Sequence, residues 1–223
     1  MDIFPKITGT VDNWDMIVMG HLRVNVYFGE RRDAPPRGDP STCTSVMVRG
    51  RDLSGSPYVL LIDPTLRLTA AELDFDINRR TGLHISDATH CFVTHHHLDH
   101  YEALKYIPGI PWYAALAVAE LIADEAKHID GSLMKSVAGE FLPGVYALPL
   151  PGHTDSLHGV AFSYRGKRIL VAADAVMSKY HFDDEKTDFQ PDPAMNDVAK
   201  QTIRNMKESF DIVIPGHDNM IVV

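Results

Sequence analysis

The sequence predicts an α/β protein made of two packed β-sheets with helices on the outside. Short apolar and β-branched runs come in two batches along the chain, with helix-favouring segments interleaved. Histidine and aspartate residues stand at the ends of several of these runs, as in metal sites assembled on α/β scaffolds. Hydrophobic residues make up 45% of the 223-residue chain, ample material for a substantial core. The site residues run from the middle of the chain to its end, which favours one domain over residues 1–223.

The elements follow in order. Asp15 to Phe28 mixes β-branched and large apolar residues with partial alternation and reads as one or two strands. Gly29 to Pro40 carries three arginines, Pro35-Pro36, Gly38 and Asp39-Pro40 and reads as a loop, either a plain connection or part of the rim of a site. Ser45–Arg49 and Tyr58–Ile62 are the next strands, the second ending in Asp63-Pro64. Thr69-Ala70-Ala71-Glu72 has capping-box spacing, so a helix runs from there to about Arg80, stopped by Gly82. Cys91-Phe92-Val93 is a buried strand, and a short helix is expected over Asp99–Tyr106. A brief strand at Pro111-Trp112-Tyr113 precedes an Ala-rich helix over Ala114–Lys127. Val145–Leu150 is a strand, and His158–Tyr164 and Arg168–Ala173 form a hairpin around Arg165-Gly166-Lys167. Ser178 to Asp197 is polar and without a strong period. Asp192-Pro193 supplies an N-cap and first-turn proline for a helix to about Ser209, and Ile212–Ile214 is the last strand.

Composition sets limits. No stretch approaches the roughly 20 apolar residues that span a bilayer, and Met1 to Lys6 lacks a signal-peptide core, so a cytoplasmic protein is expected. The two cysteines give no disulfide framework; Cys43 is read as a loop thiol and Cys91 as a small apolar strand residue. A formal net charge of −9 without a basic run argues against nucleic-acid binding. A small-molecule substrate is expected, with no membrane partner; self-association stays open.

The motif His95-x-His97-x-Asp99-His100 follows the strand at Cys91. Alternate residues of an extended segment project to one side, so His95 and His97 can reach one cation together. Asp99 and His100, at the helix entrance, can point at a second. Imidazole and carboxylate donors suit zinc or another borderline divalent metal. Further candidates stand at other strand ends: His153 and His217, each in a Pro-Gly-His turn, and Asp174 after the hairpin. Asp63 can support the ligands from behind. His96 points away from its neighbours, His84 is solvated, and His21, His90 and His128 lack a pattern. Tyr180, His181 and His158 are candidate substrate contacts, with structural roles as the competing reading.

In this order the residues resemble the metallo-β-lactamase-fold hydrolase superfamily, from about Val46 to His217. The resemblance implies an αββα four-layer sandwich, two mixed sheets flanked by helices, with the site along one edge. It implies that His95, His97 and His153 hold one metal, that Asp99, His100 and His217 hold the second, and that Asp174 bridges both. Two divalent ions, zinc first and iron or manganese as alternatives, would share a hydroxide, since metal binding lowers the pKa of water from 15.7 to about 7. Asp99 would orient that hydroxide as the catalytic residue, with ester, lactone or thioester hydrolysis as the expected reaction.

Departures from individual branches leave the substrate open. Class B1 β-lactamases place cysteine where Asp174 stands. Quorum-quenching lactonases have tyrosine three residues after the bridging aspartate, where this chain has Met177 and only Tyr180 as a substitute. Glyoxalase II shares the Pro-Gly-His-Thr segment, but its basic residues have no counterpart. A mononuclear iron oxygenase resembling persulfide dioxygenases and a non-catalytic metal-binding or sensor protein are the rival readings. The stretch Ser178–Asp192, with Tyr180, Phe182 and Phe189, is a candidate lid that would set selectivity.

Overall fold

A computed structural model describes residues 2–22, 41–186 and 193–223. The predicted loop Gly29–Pro40, the end of the predicted strand at Asp15–Phe28, Phe189 and the predicted N-cap Asp192 lie outside the described residues.

Each strand of the centre is buried on both faces, which explains why these segments read as apolar runs. In β2 (Ser45–Arg51) and β3 (Pro57–Ile62), Val46, Val48, Leu60 and Ile62 point into one cluster while Met47 and Leu61 point into another. The same alternation holds in β9 (His158–Tyr164) and β10 (Lys167–Ala173), where Val160, Phe162 and Val171 face inward and Ala161, Leu170 and Ala172 outward. The inward set is the core between the two sheets. The outward sets pack under helices: Leu73, Ile77, Val118 and Ile122 on the first sheet, Ile203, Met206 and Phe210 on the second. This is the expected four-layer αββα arrangement.

The first sheet has the order β1-β2-β3-β4-β5-β6, adding β1 (Val11–Val18), β4 (His90–Phe92), β5 (Trp112–Ala114) and β6 (Met134–Ser136). Its β1–β2–β3 pairs are antiparallel and its β3–β4–β5–β6 pairs parallel. The second sheet has the order β12-β11-β10-β9-β8-β7, with β7 (Gly139–Leu142), β8 (Val145–Pro149), β11 (Ile212–Pro215) and β12 (Ile221–Val222). Only its β10–β11 pair is parallel. Both sheets are mixed. Parallel neighbours end at the same edge, so β3 with β4, and β10 with β11, deliver their following residues to one place.

Local signals acted as expected where they were strong. Helix α1 (Ala70–Thr81) starts on a complete Thr69/Glu72 capping box and stops at Gly82, whose φ of 72° closes the C-terminus. The β9–β10 hairpin turns on Arg165 and Gly166, both with positive φ, the pattern of a two-residue primed turn. Several boundaries differ. The first strand spans Val11–Val18, so the sheet edge begins before Asp15. Ala114 belongs to β5, and α3 is confined to Leu116–Glu125. The helix expected over Asp99–Tyr106 is a single α-turn, α2 (Leu98–Tyr101), continued as a 3₁₀ run to Tyr106. The polar stretch after Ser178 contains α4 (Lys179–Asp184), held down by the buried Phe182, before α5 (Pro193–Ser209). Cys43 is a free thiol in the irregular segment before β2, as expected, but it is fully buried: its Sγ donates to the Asp63 carbonyl, and burial pushes its pKa up to about 11. Cys91 is fully buried in β4 as expected. No helix among the described residues is long and apolar enough to cross a membrane.

Candidate metal centre

The candidate ligands meet at the edge where the parallel strands end. Asp63 follows β3, and His95, His97, Asp99 and His100 follow β4. His153 follows β8, Asp174 follows β10 and His217 follows β11. Two sets of donor atoms converge within 4.8 Å: His95, His97, His153 and Asp174 form one, and Asp99, His100 and His217 the other. Crosslinks join the two sheets here, with Thr44 N–H donating to the Gly216 carbonyl at 2.6 Å and His158 N–H to the Thr94 carbonyl at 3.1 Å.

The hydrogen-bond network settles which nitrogen of several rings faces inward. Asp63, fully buried, accepts from Thr94 N–H at 2.8 Å and Thr94 Oγ1–H at 2.7 Å, and lies 2.8 Å from His100 Nδ1. A carboxylate is an acceptor only, so His100 carries its proton on Nδ1 and turns Nε2 inward. The Thr94 hydroxyl has given its proton to Asp63 and therefore accepts from His95 Nδ1 at 3.1 Å, which turns His95 Nε2 inward. His217 Nδ1 donates to the Thr42 carbonyl at 2.9 Å, with the same result. Such outer partners fix ring orientation and tautomer in metal sites.

The inward nitrogens then crowd one another and one carboxylate. His97 Nδ1 is 3.0 Å from both His95 Nε2 and His153 Nε2. Asp174 Oδ1 is 3.2 Å from His100 Nε2 and 3.1 Å from His217 Nε2. Its Oδ2 is 3.4 Å from His153 Nε2 and 3.7 Å from His95 Nε2. His100 Nε2 and Asp174 Oδ1 are buried and have no hydrogen-bond partner. Facing lone pairs at this separation need a cation or protons between them, and an uncompensated buried polar atom is costly. The donor set, nitrogen-rich with two carboxylates, fits zinc-like divalent ions.

Electrostatics divides the two sets. Burial drives the pKa of His95 well below its ordinary value, lowers that of His97, and brings His153 down to about 4, so these rings are neutral donors at neutral pH. Burial opposes protonation of His100 and His217 as well, but neighbouring carboxylates outweigh it, Asp174 and Asp63 ahead of Asp99 at His100 and Asp174 ahead of Asp99 at His217, and both pKa values rise. Asp174 is itself buried, yet His217 and His100 hold its pKa well below the usual range.

Of three further residues that shape the site, two carried no distinct sequence signal and the third was legible only as a turn residue. Thr94 links the two sets through one hydroxyl, and Thr42 acts through its backbone carbonyl. Gly216 acts by lacking a side chain: a Cβ there would stand 1.9 Å from Asp174 Oδ1. The turn glycine of Pro-Gly-His was legible, but the carboxylate it makes room for was not. Asp63 and Ala173, at φ of 47° each, hold strained backbone at the strand ends beside the site.

The remaining candidates lie apart from the converging atoms. His96 is half-buried with its ring 5.2 Å from His97, and its Nδ1 is buried without a partner. His158 Nδ1 donates to the Ser156 carbonyl at 2.9 Å. His181, expected as a substrate contact, is only 1% exposed and its Nδ1 pairs with Ser178 Oγ at 3.1 Å. The Tyr180 hydroxyl is taken by Lys186 Nζ, which also lies over its ring. His84 is exposed and binds Asp74, as a solvated residue does.

The metallo-beta-lactamase superfamily profile matches residues 38–217, and the chain belongs to that superfamily. Its fold is similar to a Thermotoga maritima protein provisionally described as a metallo-beta-lactamase, at 16% identity and TM-score 0.66, covering 95% of this chain and 99% of that one. It is also similar to a point mutant of B. thuringiensis AiiA with N-decanoyl-L-homoserine bound at its active site, at 16% identity, TM-score 0.62, and coverage of 91% and 89%. A quorum-quenching N-acyl homoserine lactone hydrolase aligns at 17% identity and TM-score 0.62, covering 93% of this chain and 88% of that one. No curated protein matches the sequence significantly.

Proposed function

We propose that this protein is a dinuclear metal-dependent hydrolase of a small ester-, lactone- or thioester-like substrate. In this reading His95, His97 and His153 hold one ion, Asp99, His100 and His217 the other, and Asp174 is shared. The observation that carries it is one buried carboxylate on which both donor sets meet, with Oδ1 facing His100 and His217 and Oδ2 facing His153, His95 and, at 3.3 Å, His217 as well. When bound, the ions would supply Lewis acidity, lowering the pKa of water and polarising the substrate oxygen.

The chain's own groups do the rest. His95, His100 and His217 are at most 1% exposed and are fixed by Thr94, Asp63 and Thr42, so the donor positions are set before substrate arrives. Asp99, with its side chain 19% exposed and an oxygen 3.8 Å from His217 Nε2, is the carboxylate of the second set nearest to solvent. It orients the attacking water, accepts its proton at a carboxylate oxygen, and returns that proton to the leaving oxygen, or to the leaving sulfur of a thioester, as the acyl C–O or C–S bond breaks.

Elemental analysis of untagged protein, together with an ester, lactone, thioester and phosphodiester panel, tests the reading. About two divalent ions per chain and turnover of a carboxylic ester or thioester are expected. One iron per chain with oxygen consumption would replace it with an oxygenase of the same fold.

A further inference from the structure

A cleft of about 670 Å³ opens between the end of β1 and helix α1. Its size is in the range of small-molecule sites. Two of its wall residues are bonded directly to the second donor set: the Thr42 carbonyl accepts from His217 Nδ1, and Leu66 N–H donates to the Asp99 carbonyl at 3.1 Å. The cleft wall therefore stands one hydrogen bond away from two residues of the second donor set.

Its chemistry is set by what its charged groups are already doing. Arg67 donates Nε–H to Asp76 at 2.7 Å, and Asp76 also takes Arg79. Glu72 is occupied by the backbone N–H groups of Leu68 and Thr69 in the capping box. The His21 ring is paired with Thr42 Oγ1 at 3.1 Å. Each wall charge is met by an opposite charge or by backbone donors. What the wall offers beyond these pairs is apolar: Met19 at 52%, Leu68 at 78% and Phe75 at 66% exposure. Large apolar side chains gathered at this exposure beside a polar site mark a binding surface for an apolar group.

We propose that this cleft binds the uncharged, apolar acyl portion of the substrate and that Met19, Leu68 and Phe75 set chain-length selectivity. This rests on the hydrolase reading and specifies its substrate class: an ester, lactone or thioester of a medium-length aliphatic or aryl-aliphatic acid. A substrate with a charged tail would have to break the Arg67–Asp76 pair to be met, and is disfavoured.

The test uses full-length protein and p-nitrophenyl esters from acetyl to decanoyl. Alongside these, calorimetry follows binding of non-hydrolysable N-alkyl acetamides to chelator-treated protein. Alkyl-chain affinity should rise about two- to fourfold per methylene until the cleft is filled, whether or not metal is present. Phe75→Ala and Met19→Ala should each lower the decanoyl-to-acetyl ratio of kcat/KM about tenfold and weaken decyl acetamide binding to match. Leu53→Ala, at an equally apolar but isolated residue in the β2–β3 turn, should change neither ratio nor binding. Binding that ignores chain length, or a decanoyl-to-acetyl ratio that Phe75→Ala and Met19→Ala leave untouched, overturns the proposal. Chain-length-dependent binding without turnover of any ester, lactone or thioester upholds the cleft and instead overturns the hydrolase reading.

Discussion

At the scale of single residues, the site depends on atoms that hold no metal themselves. Thr94 is one. Its hydroxyl donates to Asp63 and accepts from His95, so one group orients a donor of each set. Thr94→Val keeps the shape but leaves His95 Nδ1 and one Asp63 oxygen without that partner. A loss of about 10–100-fold in metal affinity is expected, measured by competition with a chelating dye. Gly216 is another. With Asp174 Oδ1 1.9 Å from the position of an added Cβ, Gly216→Ala has to push the shared carboxylate aside. Both sets should then lose metal together, with about 1–3 kcal/mol of stability lost as for an overpacked core, read from dye competition and urea unfolding.

At the scale of elements, α1 carries its own boundaries. Thr69→Ala removes the Oγ1 that accepts from Glu72 N–H, and should cost about 1 kcal/mol in urea unfolding. Asp74, in the first half of the helix, ties the segment that follows it back onto α1 by accepting from Ile85 N–H and from His84. The Ile85 amide, followed by His84, lowers the Asp74 pKa, and the hydrogen bond to Asp74 raises that of His84. The carboxylate's contribution is present above its ordinary pKa of 3.8 and is lost as pH falls through the lowered folded value. The histidine's is present below its ordinary 6.5 and is lost as pH rises through the raised folded value. The tether is therefore strongest between these two values. An NMR titration should place His84 above 6.5, returning toward 6.5 in Asp74→Asn.

At the scale of the whole molecule, the centre ties the sheets together. Its donors come from β4 of the first sheet and from β8, β10 and β11 of the second, so a bound ion would crosslink both layers of the sandwich. Chelation should lower the melting temperature, because a ligand that binds only the folded state stabilises by about 4 kcal/mol at a thousandfold excess over its Kd. Scanning calorimetry with and without chelator, with restoration by added zinc, measures this. A chelated protein melting at the same temperature as the loaded one would remove the ions from the stability of the fold.

The sequence by itself determined the elements whose signals are local. The Thr69/Glu72 box, Gly82, the turn at Arg165-Gly166 and the apolar runs of β2, β3, β9 and β10 act through neighbours within a few residues. The motif at His95 to His100 was legible for the same reason, because its spacing is short. Tertiary structure decided the rest. β6, β7 and β12 are short or weakly patterned: β6 exists by pairing with β5 across the intervening α3, and β7 and β12 by pairing with their neighbours β8 and β11 at the rim of the second sheet. α4 sits in a polar stretch and is held by Phe182 beneath it. Whether a polar residue joins the site was also decided in space: His181 and Tyr180 follow Asp174 closely in sequence, yet Ser178 and Lys186 engage them. Cys43 is buried because the ends of both sheets close over it. Thr42, Thr94 and Gly216 shape the site through a carbonyl, a shared hydroxyl and a missing Cβ. Such roles depend on atoms brought together from residues up to 175 positions apart in the chain, which no local pattern encodes.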